Sequence, residues 1–561
     1  MNLLREYRRE WLRPDVIAGL TTAALVLPKA MAYATIAGLP VEAGLYTVLI
    51  PMAVYAVLGS SRPLSVSTTT TIALLTATEL AQVAPGGDPV VLLKTACTLA
   101  LLVGAFLLLA SILRLGFIAN FISDPVLAGF KAGIAFVVIV DQLPKLLGIH
   151  VGNEPFLRKL ISIFQHVSAT SAPTLALGLI TLAIVFGVEK WLPRLPAVLL
   201  ALAIAIACFS LLQLRNVGVQ TVGTVPSGLP PLIAPDLTLM GILWPGALGI
   251  ALMSFTESIA AGRAFVGRGE PRPNPDQELR ALGLANLAGA FFRAMPAGGG
   301  TSQTAINRKA GARTQVAELV TAAAAAATLL FLAPVIRLVP QAALAAVVIT
   351  SVVGLLNPTE FRKIRAIRNA EFRWALVALA GVVLLGSLRG ILVAVALSLM
   401  GLLYESNHPL VYVLGRKPGT DVFRPRSPDH NSDETFPGLL ILRTEGRVYF
   451  GNAQRIGDKM WPMVREATPQ VVLIDCSAIP DIEYTALEML RAGEEKLRQE
   501  GVTLWLAALN PEALRVIQKS LLGEVLGRQR MFLNTQQAVE AYQTQYGIHA
   551  AALGAIEEIK S

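Results

Sequence analysis

From about Pro14 to Tyr404 the chain alternates between long apolar stretches and short polar or Gly/Pro turns. Several of these stretches approach the roughly 20 residues that cross a bilayer as a helix. Leu92–Leu113, Leu175–Val188, Ala197–Leu212, Leu319–Leu332 and Ile391–Leu403 are the clearest, and the region divides into about fourteen segments of this kind. Two of them, Thr68–Leu80 and Thr301–Asn307, are too short to cross alone. The composition agrees with a membrane protein: 54% of the 561 residues are hydrophobic and 15% charged, with a mean hydropathy of +0.59. Soluble domains carry fewer apolar and more charged residues.

After Tyr404 the pattern changes. GRKPGTDVFRPRSPDHNSDETFPG is polar and rich in Pro and Gly, as linkers are. Beyond it strands and helices alternate: LLILRTEGRVYF, a helical NAQRIGDKMWPMVREA, the strand VVLIDCSA, a helix from about Glu483 to Glu500, VTLWLAAL, then helices near Pro511–Leu522 and Gln536–Tyr546. The predicted organisation is a basic cytosolic lead-in at 1–13, a transmembrane region at 14–405, a linker at 406–437 and a small α/β domain at 438–561.

Charge supplies an orientation. Arg5, Arg8, Arg9 and Arg13 at the start precede no apolar core with a cleavage site, so the lead-in does not read as a signal peptide. With the N-terminus inside, the inner loops hold Arg62, Arg114, Lys190, Arg194, Arg263, Arg268, Arg272, Arg308, Lys309, Arg313, Arg362, Lys363, Arg365 and Arg368. The outer loops hold fewer, among them Lys145, Arg158, Lys159 and Arg215. The net charge of +9 therefore follows largely from orientation in the membrane, and no nucleic-acid-binding motif accompanies it. Cys97, Cys208 and Cys476 form no paired spacing, the five histidines form no metal cluster, and there is no phosphate-binding loop. An enzyme reading has no nucleophile with a base and no cofactor loop behind it.

The two short helices carry the functional argument. Unwound backbone at membrane depth survives only where it is buried in protein or lines a cavity. GSSRPLSVSTTTTIALLTATEL (Gly59–Leu80) places polar, extended-looking chain before a helix starting near Thr68, and PAGGGTSQTAIN places Pro296–Gly300 before a helix starting near Thr301. Each lies third in its half, the halves being about 14–214 and 243–405. Their flanks rhyme, as in ISDPVLAGFKAGIAFVV (Ile122–Val138) and VPQAALAAVVITSVVGLL (Val339–Leu356). An odd number of spans per half inverts the second copy, so the broken helices run oppositely and meet at their N-termini, as in transporter sites. Such ends hold anions through unpaired N–H groups and a partial positive charge. Gly300 and its neighbouring glycines permit the unwound approach, while Thr68, Thr69, Thr301, Ser302 and Gln303 offer hydrogen bonds without net charge. The alternative for each motif alone is close helix packing through small residues.

Two ionisable residues lie inside apolar helices, where a charge costs at least ~2.5–3.5 kcal/mol. Glu257, in ALGIALMSFTESIAAGRAF, is expected to couple transport to H+ or Na+, the alternative being a structural hydrogen bond. Lys29, in AALVLPKAMAYATIAG, is expected to border the same cavity, the alternative being a snorkelling residue.

Pro14–Pro51, the GSSRPLSV turn and Asn274–Gln315 resemble the sulfate permease (SulP) family of anion transporters. YFGNA (Tyr449–Ala453) and VVLIDCSAIPDIEYTALEML (Val471–Leu490) resemble that family's STAS domain. The resemblance covers nearly the whole chain. It implies an α-helical membrane protein of fourteen segments in two inverted seven-helix repeats, a core domain moving against a gate domain, and a small C-terminal α/β domain. It also implies an anion site between the third and tenth helices and commonly a homodimer. Family members often have Arg where Gln303 stands and Gln where Lys29 stands, so Lys29 is expected to supply the missing cation, or to pair with Glu257 in the empty site. Lys29→Gln combined with Gln303→Arg should then retain more transport than either change alone. Where anti-sigma antagonists have a phosphorylatable Ser, this chain has Tyr484, which favours a docking or dimerisation module over a serine switch. The function expected is secondary active transport of sulfate, bicarbonate or a small dicarboxylate by alternating access, without a cofactor, in a cell membrane with both termini cytoplasmic. An uncoupled exchanger or channel, and an anion receptor signalling through the STAS domain to a cytosolic partner, are the alternatives.

Overall fold

The computed structural model describes residues 7–546 apart from 85–86, 121–122, 152–155, 193–194, 224 and 268. Arg5, Arg194, Arg268 and Ile122 lie outside the described residues. The chain divides into two compact units, Met1–Leu399 and Met400–Ser561.

The first unit is helical. Its first half contains α1 (Leu12–Ile36), α2 (Val41–Leu58), a two-residue strand β1 (Val66–Ser67), α3 (Thr70–Val83), α4 (Pro89–Ile112), α5 (Asp124–Leu147), α6 (Phe156–His166), α7 (Ala172–Trp191) and α8 (Ala197–Leu211). Its second half contains α9 (Met240–Ala264), α10 (Pro275–Phe291), β2 (Gly298–Gly299), α11 (Thr301–Lys309), α12 (Val316–Ile336), α13 (Gln341–Val353), α14 (Pro358–Ile367), α15 (Asn369–Leu385) and α16 (Ser387–Ser406). The halves match element for element, including the short amphipathic α6 and α14 and the broken third position. α12 departs from a regular helix through a π-helical turn at Thr328–Leu332, which its apolar sequence does not announce. Eight helical stretches among the described residues are long and apolar enough to cross a membrane unaided, and α8 is apolar but shorter.

Local sequence signals mark the starts of two of these helices. At NPDQE the Asn274 side chain accepts from the N–H groups of Asp276 and Gln277, with Pro275 in the first turn, where its missing N–H costs nothing. Asp88 caps α4 in the same way.

Packing repeats the symmetry. α4 packs on α9 and α10, as α12 packs on α1 and α2, and α15 lies on α5 as α7 lies on α13. Small residues permit these approaches: a Cβ on Gly129 would collide with the carbonyl of Ala375, and one on Gly104 would come within 2.8 Å of Leu287 and the Gly283 carbonyl.

The second unit contains β3 (Val411–Arg416), β4 (Phe423–Pro425), β5 (Leu439–Thr444), α17 (Ala453–Ala467), β6 (Val471–Asp475), α18 (Tyr484–Gln499), β7 (Thr503–Ala507), α19 (Pro511–Gln518), α20 (Leu521–Leu526), β8 (Met531–Phe532) and α21 (Thr535–Gln545). The sheet order is β4-β3-β5-β6-β7-β8, with β5 to β8 parallel and β3 antiparallel to both its neighbours. The expected linker 406–437 thus needs correction, because it contributes two strands. VYVLGR has the apolar, β-branched character of a strand, and the surrounding Pro and Gly residues are its turns. Alternation in the central strands gives the sheet two apolar faces: Leu440, Leu442, Val472, Ile474 and Leu504 on one, Leu439, Ile441, Val471, Leu473 and Trp505 with Tyr542 on the other. Tyr484 is 77% exposed at the first turn of α18.

Asp475 closes β6 as an anchor. Burial pushes its carboxyl up, but bonds from Ser477, from Arg443 at 2.6 Å and from Thr535 at 2.8 Å outweigh this and hold it below the usual carboxylate range. A depressed folded value means the stabilisation is complete above the unfolded value, about 3.9, and is lost as pH falls through the folded one. The denaturant midpoint of this unit should therefore drop on acidification below about pH 4. Asp475→Asn should remove that dependence and cost about 2–3 kcal/mol at neutral pH; a variant with the wild-type acid response would contradict the assignment.

Candidate functional site

The backbone breaks ahead of α3 and α11 are satisfied from neighbouring helices, as a low-dielectric surrounding requires. In the first, the N–H groups of Ser60 and Ser61 and the Ser60 hydroxyl donate to Glu278 on α10, at 2.8, 3.1 and 2.6 Å, and Tyr55 donates to its other oxygen at 2.7 Å. The Gln315 amide donates to the carbonyls of Ser61 and Leu64, Asn307 donates to that of Pro63, and the Ser65 N–H donates to Thr304. In the second, Met295 N–H donates to Thr47 at 3.0 Å and Ala297 N–H to Asn286 at 2.8 Å. Ser254 donates to the Ala297 carbonyl at 2.7 Å, and Gly299 N–H donates to Ser258 at 2.7 Å.

The two breaks cross as an antiparallel ladder, Val66 opposite Gly299 and Ser67 opposite Gly298, extended by Gly300 N–H to the Ser65 carbonyl at 3.1 Å. Antiparallel strands send α3 and α11 away from the crossing in opposite directions. Glycine is required at both rungs: a Cβ on Gly298 would lie 2.7 Å from Ile72 and 2.8 Å from Ser254 Oγ, and one on Gly299 would lie 2.9 Å from the Ser258 backbone.

The two helix ends differ. Thr69 caps α3, its Oγ1 accepting from Ile72 N–H at 3.3 Å and donating to Glu257 Oε2 at 2.9 Å, while Thr71 donates to Oε1 at 2.8 Å. A carboxylate thus already lies at this electropositive end. Gly300 caps α11 without a side chain, and Thr301 and Ser302 are exposed in its first turn. The α11 end is the one without a side-chain cap. α9, which carries Glu257, packs on β2, α3 and α11, and α1, which carries Lys29, packs on α3 and α11.

Six expected residues, Thr68, Thr69, Gly300, Thr301, Ser302 and Glu257, sit at the crossing or in the adjoining turns. The Thr68 hydroxyl is fully buried and has no hydrogen-bond partner among the described residues. Gln303 takes a different part: it accepts from Ser67 at 2.9 Å and donates to the Ser65 carbonyl at 3.0 Å, so its amide is spent on holding β1. Lys29 is half-buried, occupies the same position in α1 as Glu257 does in α9, and has no hydrogen-bond or ion-pair partner among the described residues. The expected Lys29–Glu257 pair is not formed, because two threonines supply the donors to Glu257.

Sequence reasoning missed the residues that hold the breaks together: Ser254, Ser258, Asn286, Glu278, Asn307, Gln315 and Glu318. Glu318 is fully buried and accepts from Ser65 and Asn307, each at 2.8 Å. A carboxylate inside an apolar segment was the available signal for Glu318.

Residues 12–378 match the profile of the sulfate permease family, and residues 432–538 match that of the STAS domain. A probable sulfate transporter of Mycobacterium tuberculosis is 35% identical over 543 residues, spanning 96% of this chain and 96% of that protein. Probable sulfate transporter 3.4 of Arabidopsis thaliana is 31% identical, spanning 95% of this chain and 86% of that protein. The structure of murine Solute Carrier 26 family member A9, an anion transporter, superposes with a TM-score of 0.88 at 20% identity, over 96% of this chain and 93% of that one, which shows the shared fold. The chain therefore belongs to the sulfate permease family: it is a multi-pass membrane transporter of anions, not an enzyme, with a STAS domain at its C-terminal end.

Proposed function

We propose that the chain carries sulfate, bound at the uncapped N-terminus of α11 beside the α3 end, and that Glu257 couples its movement to a proton. The observation that carries this reading is the carboxylate held by Thr69 and Thr71 at the anion-favouring end of α3. While ionised, it repels an anion entering the same space; once protonated, it does not, so anion and proton bind together. Alternating access then moves both. Sulfate is chosen because relatives over the chain's full length bear the name sulfate transporter. Lys29, half-buried and without a partner among the described residues, supplies a cation to the bound anion, and Gln303 positions β1. The distribution of Arg and Lys supports a cytoplasmic location for both termini. The Thr69 and Thr71 hydroxyl oxygens beside the Glu257 carboxylate also suit Na+, which favours Na+ coupling as the second reading.

The test is radiolabelled sulfate uptake into liposomes holding the purified protein. Uptake should rise on outside acidification, by up to about tenfold per pH unit, and Glu257→Gln should abolish that dependence while retaining anion exchange. Dependence on Na+ instead of pH would establish the second reading. Uptake indifferent to both would refute coupling, and uptake of labelled bicarbonate or dicarboxylate without uptake of sulfate would refute the substrate.

A further inference from the structure

In the C-terminal unit, α17 and α18 lie side by side over one face of the sheet. Between them is a cavity of about 290 Å³, floored by Leu442, Val472 and Leu504 and walled by Met460, Trp461 and Met489. Protein interiors are close-packed, with few voids larger than a water molecule. Glycines on both walls keep this space open: a Cβ at Gly493 would meet no atom within 4 Å, and one at Gly457 would meet only the Met489 methyl, at 3.9 Å. The two methionines are unbranched and adapt to an irregular occupant.

The mouth is polar and asymmetric. Lys496 is exposed there, its Nζ 4.1 Å from the Trp461 ring centroid, a cation–π contact. It has no carboxylate partner among the described residues, whereas Arg491 and Arg498 on the same helix pair with Glu488 and Glu494. Asp458, also on the rim, is bonded by Gln454 at 3.1 Å. An unpaired ammonium at the mouth of an apolar slot matches a ligand with one anionic head and an apolar tail.

We propose that this cavity binds a single-chain anionic amphiphile, a medium-chain fatty carboxylate, with its tail between α17 and α18 and its head at Lys496. At roughly 30 Å³ for each water-sized group, the space accepts a tail of about ten carbons. The same chain spans a bilayer, the phase in which such amphiphiles collect. The site is separate from the anion crossing and does not depend on the transport reading.

The experiment uses the full chain in lipid nanodiscs and decanoate bearing a photoactivatable diazirine at its tail end, with labelled peptides mapped by mass spectrometry. Label is expected on the peptides containing Met460 and Met489, displaced by excess decanoate and not by decyltrimethylammonium, which has the same chain with a cationic head. Lys496→Gln should raise the decanoate needed for half-displacement about three- to fivefold. Gly493→Leu should remove the label without lowering the thermal midpoint, and Gly457→Leu, filling from the opposite wall, should do the same. Three results would overturn the proposal: no label in these peptides, as when a second copy of the chain or a partner helix covers the groove; equal displacement by the cationic amphiphile; or label that survives both filling substitutions.

Discussion

Gly299→Ala should reduce anion uptake to that of empty liposomes, an effect out of proportion to one added methyl. The new Cβ would lie 2.7 Å from Leu64 and 2.9 Å from the Ser258 backbone, so a helix, not a flexible side-chain tip, would have to give way. Overpacking of this kind costs about 1–3 kcal/mol, and the shift also lengthens the 2.7 Å bond from Gly299 N–H to Ser258. The strained element is one rung of a two-rung ladder that holds α3 and α11 end to end. Gly241→Ala, where a Cβ meets nothing within 4 Å, is the matched control and should leave uptake unchanged. Equal activity in the two variants would show that the crossing tolerates displacement.

Glu278→Ala should be the most destabilising single change in the membrane unit. The carboxylate is fully buried and collects four donors, two of them backbone N–H groups of the chain entering β1. Removing it leaves these donors without their partner, and at the buried Tyr55 and Ser61 water cannot take its place. At about 1–3 kcal/mol for each buried unsatisfied group, a loss of about 3–5 kcal/mol is expected even with partial relaxation. The measurement is the thermal midpoint of purified protein by fluorescence-detected size exclusion, together with yield. Glu278→Gln keeps one carbonyl oxygen for Ser60 and Ser61 and should lose less. If the alanine variant melted with the wild type, the turn would owe its shape to other contacts.

The broken helices were legible because they violate the surrounding pattern: Pro, Gly and hydroxyl residues in the middle of apolar chain have few physical explanations. The spans and their inversion followed from counting. Glu257 and Lys29 stood out as charges among apolar neighbours, but the Thr69 and Thr71 contacts to Glu257 span separations of 188 and 186 residues, which one sequence cannot reveal. Gln303 shows the limit most clearly. Its place beside the hydroxyls suggested a ligand donor, yet its amide faces β1, and nothing in TSQTAIN indicates which way a side chain in a first helical turn will point. Glu278 was hidden for another reason: in NPDQELRAL it looks like an ordinary acidic residue near a helix start. The strand VYVLGR was visible in principle and was masked by the Pro- and Gly-rich chain that follows it.

The division of labour at the crossing has a consequence for how selectivity can diversify. Ser254, Ser258, Asn286 and Gln303 are all committed to bracing the chain, and Gly298 and Gly299 are fixed by steric contact. The exposed pair Thr301 and Ser302, and Lys29, which holds in α1 the position that Glu257 holds in α9, are left as the few letters that evolution or an engineer can rewrite without dismantling the scaffold beside them.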